Sequence, residues 1–362
     1  MKFSRLLVIF ADSLNQLAFI TCILFLHLTD IEIAAFYTFV ASYGLAHLVT
    51  DSGFLTRSMK LYGSTGIWEI HPTFHLIIGL AIYLVGRSLE LANIQIIVLV
   101  GLTLTFNTHF FNALRFKDRN LEYLALKSFS TLTFLIGAYF RADFDLSLNL
   151  CFGISQILVL LFLISRSEVL FRLDTTIFEI YESLVISSNS YTGWVRNGLD
   201  KFILAETVTV STLAAYSIVQ QFLVIYQFIG AAISKLMVVS YFNSAIGLRH
   251  YRDIWKYHFI HVIIFISILL MCTYDLNING TILTLLALSI LVGNWNSLET
   301  PLLFRSAQKG YMLIIFSLST ASYLLTVLLY PNLTGVLYAS NLSVFSVYLF
   351  NLYQWKRRKY RY

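Results

Sequence analysis

The feature that most constrains this chain is a succession of apolar runs, each roughly 18–25 residues long, separated by short polar connections. A helix of about 20 residues crosses the hydrocarbon core of a bilayer, whereas barrel strands are short and alternate in polarity. With 58% hydrophobic and only 12% charged residues, the chain has more apolar surface than a water-soluble fold could bury. The sequence therefore predicts an all-α, polytopic membrane protein with about twelve transmembrane helices.

The predicted spans follow the apolar runs: 5–28, 33–55, 72–87, 93–114, 121–140, 146–165, 180–205, 210–240, 257–274, 280–303, 310–330 and 333–354. The longest connection, 166–179, divides them into a bundle at 1–165 and a second at 180–362, with six spans each. The halves share a short similarity, because Ala35 to Val40 and Ala214 to Val219 align at an offset of 179 residues. We predict two six-helix bundles around a central cavity, a plan that many transporters use.

The basic residues indicate an orientation. If the N-terminus is cytoplasmic, 19 of the 25 lysines and arginines fall in predicted inner segments, and only Arg87 and Arg141 fall in outer loops. The C-terminal tail alone holds five, at Lys356, Arg357, Arg358, Lys359 and Arg361. We expect both termini in the cytoplasm and 166–179 to be a cytoplasmic linker.

Several function classes are excluded by what the chain lacks. It has no nucleotide-binding glycine-rich loop, no nucleophile motif, no metal-ligand spacing and no loop long enough to hold an active site. Its basic residues alternate with apolar runs instead of forming one surface, which argues against nucleic acid. We expect no catalytic residue, no metal and no cofactor, with transport driven by H⁺, by Na⁺ or by the flux of the substrate itself.

The seventh predicted span carries a polar stripe. On one continuous helix, its members would share a face at i, i+4, i+7, i+8 and i+11, with Lys201 beside them: Asn189, Gly193, Arg196, Asn197 and Asp200. Such a stripe avoids lipid, so it lines a cavity in which Arg196 meets an anionic group, or it holds helices together through an Arg196–Asp200 pair.

Other charged and polar residues fall inside predicted spans, where charge is costly and marks functional sites. Asp12, His47, Asp51 and Glu299 are candidates for ion coupling, and Asp12 and Asn15 are candidates for lining a cavity. The alternatives are that Asp12 bonds a neighbouring helix, that Asp51 pairs with Arg57, and that His47 is structural. Gln220 and Gln227 are further candidates for lining a cavity, and Lys127 and Lys235 are candidates for guiding an anionic substrate. Each lysine could instead extend its side chain to the lipid headgroups.

Two sequence segments resemble the Wzx-type polysaccharide flippases of the multidrug/oligosaccharidyl-lipid/polysaccharide exporter superfamily. One is Gly198-Leu199-Asp200-Lys201-Phe202-Ile203-Leu204, followed by Ala214-Ala215-Tyr216-Ser217-Ile218-Val219-Gln220. The other is Ala35-Phe36-Tyr37 with Thr50-Asp51-Ser52-Gly53-Phe54. The twelve-span layout agrees along the whole chain, whereas residue matches cover about a tenth of it.

The resemblance implies a protein of the bacterial inner membrane that moves an undecaprenyl-diphosphate-linked glycan to the periplasmic leaflet. Membrane lipids, a polysaccharide polymerase and a chain-length regulator are the implied partners. Arg196 and Lys201 would bind the diphosphate, with Lys127 and Lys235 guiding its entry, because basic side chains bind phosphate. Two alternatives stay open: a drug or cation exporter of the same superfamily, and a membrane polysaccharide polymerase or glycosyltransferase.

Overall fold

The computed structural model describes residues 28–144, 146–166, 169–220 and 309–359, together with shorter stretches at 11, 14, 18, 21–23, 25–26, 262, 284–285, 287–289 and 291–293. These residues are helical apart from loops and two short strands, which confirms the all-α, polytopic prediction. Four of the described helices are long and apolar enough to cross a membrane: Asp30–Asp51, Ile94–Phe116, Leu148–Ser165 and Leu333–Phe350. The chain is a multi-pass membrane protein.

The helices are α1 (Asp30–Asp51), α2 (Phe54–Thr65), α3 (Pro72–Ser88), α4 (Ile94–Phe116), α5 (Asn120–Tyr139), α6 (Leu148–Arg166), α7 (Ile177–Asn197), α8 (Leu199–Thr207), α9 (Val210–Gln220), α10 (Lys309–Leu329) and α11 (Leu333–Lys359). Five predicted spans, 72–87, 93–114, 121–140, 146–165 and 310–330, match α3, α4, α5, α6 and α10 to within two residues. Those at 5–28, 257–274 and 280–303 lie wholly or largely outside the described residues.

The second predicted span ends earlier than expected. α1 begins with a capping box, in which Thr29 and Glu32 satisfy each other's backbone N–H groups, and it ends at Asp51. Ser52 and Gly53 then adopt left-handed conformations, with φ of 45° and 84°. A Cβ on Gly53 would lie 2.2 Å from the carbonyl oxygen of Ser183, so glycine permits both the turn and the close approach of α7.

The predicted linker 166–179 is attached to the first part of the chain. Its strand β2 (Leu170–Phe171) pairs in parallel with β1 (Glu69–Ile70), through bonds from the Leu170 N–H to the Trp68 carbonyl and from the Arg172 N–H to the Ile70 carbonyl, both 2.9 Å. α7 continues this attachment, because Trp194 Nε1 donates to the carbonyl of Ala41 at 3.1 Å.

The chain divides into two compact units, an N-terminal unit at Met1–Trp194 and a C-terminal unit at Val195–Tyr362. This division falls later than the predicted linker because α7 packs with the helices before it. The predicted grouping of six spans per bundle and the predicted central cavity stay predictions. In the N-terminal unit, one core joins Phe36, Tyr37, Phe134 and the free thiols of Cys22 and Cys151.

The starts of α1 and α9 support the internal similarity found in the sequence. Thr29 caps α1 by accepting the N–H of Glu32, and Thr209 caps α9 by accepting the N–H of Thr212. The two capping threonines are 180 residues apart, one residue from the offset of the aligned segments. Matching segments therefore begin matching helices.

Candidate functional site

Asp51 is the centre of a buried polar cluster in the N-terminal unit. Its Oδ2 accepts the N–H of Gly53 and its Oδ1 accepts the N–H of Leu55, both at 3.1 Å. These are free N–H groups at the start of α2, where a negative charge is favoured. The same Oδ1 lies 2.9 Å from Nε2 of His109 on α4. One carboxylate thus joins α1, the break before α2, and α4.

Two further histidines extend this cluster. Nδ1 of His75 on α3 lies 2.7 Å from the carbonyl oxygen of Thr50, and the rings of His75 and His109 have centroids 5.3 Å apart. Nδ1 of His47 lies 2.9 Å from the Thr105 hydroxyl, which lies 2.6 Å from the Thr50 hydroxyl. We name these six residues the histidine cluster: His47, Thr50, Asp51, His75, Thr105 and His109.

The histidine cluster brings together two predicted ion-coupling candidates and two residues that the prediction left out. His47 and Asp51 are the predicted candidates, whereas His75 and His109 are not among the candidate residues. The alternative that Asp51 pairs with Arg57 is wrong, because Arg57 Nη2 lies 2.5 Å from Oε1 of Glu179. Proton exchange along hydrogen bonds is the chemistry that such groups allow.

The C-terminal unit contains a smaller cluster built from the residues of the family resemblance. Nζ of Lys201 lies 3.3 Å from Oδ1 of Asp200, and the hydroxyl of Tyr216 donates to Oδ2 of Asp200 at 2.6 Å. All three residues are buried. The lysine charge and the carboxylate charge therefore compensate each other inside the protein. We name these residues the aspartate–lysine cluster.

The predicted polar stripe of the seventh span is interrupted. The prediction of one continuous helix over 180–205 is wrong, because the helix is interrupted at Gly198. The φ of Gly198 is −121°, which departs from helical geometry, and this residue lies between α7 and α8. Asn189, Arg196 and Asn197 lie on α7, and their side chains are outside the described residues. Asp200 and Lys201 lie on the first turn of α8, so they do not simply continue that face.

Lys127 and Gln220 are the remaining predicted site residues that the structure describes. Nζ of Lys127 on α5 lies 4.4 Å from the centroid of the Phe111 ring, which is a cation–π contact. Gln220 is the last described residue of α9 and is partly buried. The other candidates lie outside the described residues: Asp12, Asn15, Gln227, Lys235 and Glu299.

A third cluster of charged side chains lies at the start of α7, just before the predicted seventh span. Glu179 Oε1 contacts Arg172 Nη1 at 2.7 Å as well as Arg57, and Arg172 Nε also contacts Asp174 Oδ1 at 3.0 Å. Burial alone would raise the pKa of Glu179, but bonds from Thr176 and the two guanidinium groups hold it below its ordinary value of 4.5. This group fastens the segment before α7 to α2.

Two solved structures share this fold. One is a MATE protein in complex with Br-NRF, with a TM-score of 0.57 and 12% identity, covering 98% of this chain and 95% of that one. The other is an outward-facing multidrug resistance MATE family transporter of the MOP superfamily, with a TM-score of 0.55, 12% identity and coverage of 98% and 94%. No protein-family model and no curated protein matches the chain. The chain therefore has the fold of the MATE transporters of the MOP superfamily, over nearly its whole length.

Proposed function

We propose that this protein is a bacterial inner-membrane flippase that moves an undecaprenyl-diphosphate-linked oligosaccharide to the periplasmic leaflet by alternating access, with both termini in the cytoplasm. The fold shared with MATE transporters supports transport as the general activity. The resemblance of 198–204 and 214–220 to polysaccharide flippases supports the substrate. A polymerase that consumes the translocated unit and a chain-length regulator are the proposed partners.

The proposed substrate class rests on the hydrogen bonds that two buried carboxylates accept. Asp51 accepts bonds from His109 and from two backbone N–H groups, and Asp200 accepts bonds from Lys201 and Tyr216. A site for an organic cation needs a carboxylate whose oxygens can face the ligand. Because donors already surround these two, they favour an anionic substrate over a cationic one.

Basic residues of α7 and α8 are the proposed diphosphate contacts. Arg196 provides a planar guanidinium that can bind phosphate oxygens in pairs, while Lys201 provides a point charge. Lys201 faces Asp200 in the structure, so binding a diphosphate there requires that this pair open. Arg196 is therefore the better single test, and Lys127 and Lys235 follow as residues that guide entry.

The alternative of a multidrug exporter has one observation in its favour. One of the two solved structures compared above is described as a multidrug resistance transporter. An exporter of cationic drugs would be indifferent to Arg196 and would respond to acidic residues. Removing Arg196 should therefore impair a flippase but not a drug exporter, whereas removing acidic residues should impair a drug exporter.

The test uses the full chain in proteoliposomes with a fluorescent undecaprenyl-diphosphate oligosaccharide in one arm and ethidium in the other. We expect lipid-linked sugar to cross and ethidium to stay. Arg196→Ala should abolish transport of the lipid-linked sugar and Arg196→Lys should retain part of it, while Arg87→Ala, at the outer end of α3, serves as the basic control. Normal transport by Arg196→Ala would contradict the diphosphate contact, and ethidium transport alone would contradict the flippase.

A further inference from the structure

We propose that the imidazoles of His75 and His109 form a site that binds one proton inside the N-terminal unit, with Asp51 as its counter-charge. The proton site stands on the geometry of the histidine cluster. Its role as the coupling site of transport rests on the proposed function.

The tautomer of His75 follows from its partner. Its Nδ1 lies 2.7 Å from the carbonyl oxygen of Thr50, and a carbonyl oxygen only accepts hydrogen bonds. Nδ1 must therefore carry the hydrogen, which leaves Nε2 of the neutral ring with a lone pair. That Nε2 is buried and has no hydrogen-bond partner among the residues that the structure describes.

The tautomer of His109 follows in the same way, with the nitrogens exchanged. Its Nε2 lies 2.9 Å from Oδ1 of Asp51, and an ionised carboxylate only accepts. Nε2 carries the hydrogen, so the lone pair of the neutral ring is on Nδ1. This atom is also buried and lacks a hydrogen-bond partner within the described part of the chain. Two neighbouring rings thus each keep a basic nitrogen away from water.

The pair should bind one proton and not two. The ring centroids are 5.3 Å apart, and two positive charges at that distance repel strongly in a buried site. Asp51 supplies one negative charge, enough to compensate one imidazolium. The aromatic rings of Phe106 and Trp68 lie edge-on to His75 and His109, which keeps the site apolar around that single charge.

The same contacts disfavour a metal ion or Na⁺. A cation would need the oxygens of Asp51 as ligands, but these face two backbone N–H groups and the His109 N–H. Within the described residues, no three His, Cys, Asp or Glu side chains are grouped to hold a metal. The unpaired ring atoms of His75 and His109 in the described part of the chain are nitrogens with a lone pair, and an imidazole lone pair accepts a proton.

Other ionisable groups surround the pair. His47 on α1 connects to Thr50 through Thr105, His71 precedes α3 and packs on Phe54, and Tyr191 on α7 lies 3.4 Å from the Leu48 carbonyl. Glu69 of β1 is a further carboxylate, but its Oε2 faces His71 Nε2 at 3.9 Å and Arg172 Nη1 at 3.7 Å. None of these side chains brings a second negative charge into contact with the two rings. Asp51 is therefore the counter-charge, and because it also holds the start of α2, proton binding is linked to the α1–α2 break.

The test follows the imidazole ¹⁵N shifts of the full-length protein in lipid nanodiscs, labelled at histidine, from about pH 8 to about pH 3, a range that covers both exposed and buried imidazoles. The wild type should show His75 and His109 changing together in one step that adds one proton. His75→Gln should confine the whole imidazolium signal to His109, and Asp51→Asn should abolish the step. His250→Gln, in a predicted cytoplasmic loop, should leave it unchanged.

The wild-type titration alone decides the proposal, even if a variant fails to fold. Two rings that stay neutral throughout, or that take up one proton each, would overturn it. A transport measurement separates this outcome from the proposed function. Failure to move the lipid-linked sugar would contradict the flippase and leave the titration result standing, whereas transport without the titration step would contradict the proton site.

Discussion

The two units each bury an aspartate, but they compensate its charge differently. In the C-terminal unit, Asp200 meets a lysine ammonium and a tyrosine hydroxyl from nearby in the chain. In the N-terminal unit, Asp51 meets a histidine from another helix, and that histidine keeps a basic nitrogen without a partner in the described residues. A lysine partner fixes the charge state, whereas a histidine partner can change it near neutral pH. The aspartate–lysine cluster therefore holds a fixed pair of charges, whereas the histidine cluster contains groups that can exchange a proton.

Asp200→Asn should give the largest effect, because it leaves the buried ammonium of Lys201 without its carboxylate. Removing one member of a buried ion pair typically destabilises a protein by about 3–5 kcal/mol. We expect a loss of this size in thermal unfolding of the purified full chain. The matched control is Asp200→Leu with Lys201→Met, which removes both charges and should restore much of the stability. A mild single variant would show that Lys201 has other compensation.

Asp51→Asn should destabilise the protein less than Asp200→Asn. The asparagine still accepts an N–H at the start of α2, and His109 can stay neutral instead of remaining charged. We expect a loss of about 1–3 kcal/mol, the range for a buried group that loses its partner. The same unfolding measurement applies. A loss equal to that of Asp200→Asn would mean that His109 carries a fixed charge like a lysine.

Tyr216→Phe removes the hydroxyl that donates to Asp200 and leaves the ion pair in place. A hydrogen bond to a charged group contributes about 1.5–3 kcal/mol, and we expect the lower end because Lys201 still faces the carboxylate. Urea unfolding of the variant against the wild type measures it. Tyr43 on α1 packs its ring against Phe39 and Phe152, and Tyr43→Phe is the control for removing a tyrosine hydroxyl.

Glu179→Gln should have the smallest effect and the clearest pH dependence. The folded protein holds the pKa of Glu179 below its ordinary value of 4.5, so the stabilisation is present above that pH and disappears as pH falls through the lowered pKa. Because Arg172 is partly exposed, we expect a difference of only ~1 kcal/mol at neutral pH. Unfolding temperatures of the two proteins should begin to converge below about pH 4.5 and become equal below the lowered pKa. A constant gap at all pH values would contradict this contribution.

The membrane spans could be predicted from the sequence, because a segment that crosses the hydrocarbon core must be helical and about 20 apolar residues long. The exceptions are local. Inside the apolar run 33–55, the Ser52-Gly53 pair is a short turn signal. The close approach of Ser183 on α7 to Gly53, which requires glycine there, is visible only in the structure. Gly198 looked tolerable inside a helix, because a single glycine weakens a helix without ending it.

The histidine cluster could be predicted only in part. His47 and Asp51 share one predicted span, so spacing alone placed them on one side of it. His75 and His109 lie on two other spans, 24 and 58 residues from Asp51, and a single sequence does not tell which spans meet. The available signal was that three successive predicted spans, the second, third and fourth, each contain one histidine. A search for such recurrence would have brought the three together.

The pairing of β1 with β2 has a consequence for the continuity of the chain. In a polypeptide cut between Arg166 and Val169, Leu170 and Phe171 would stay paired with Glu69 and Ile70, and α7 would stay bonded to α1 through Trp194. If one piece ending at Arg166 and another beginning at Val169 are synthesised separately, they should bind to each other and assemble. The covalent link across this stretch would then be dispensable, while the backbone ladder beside it would not.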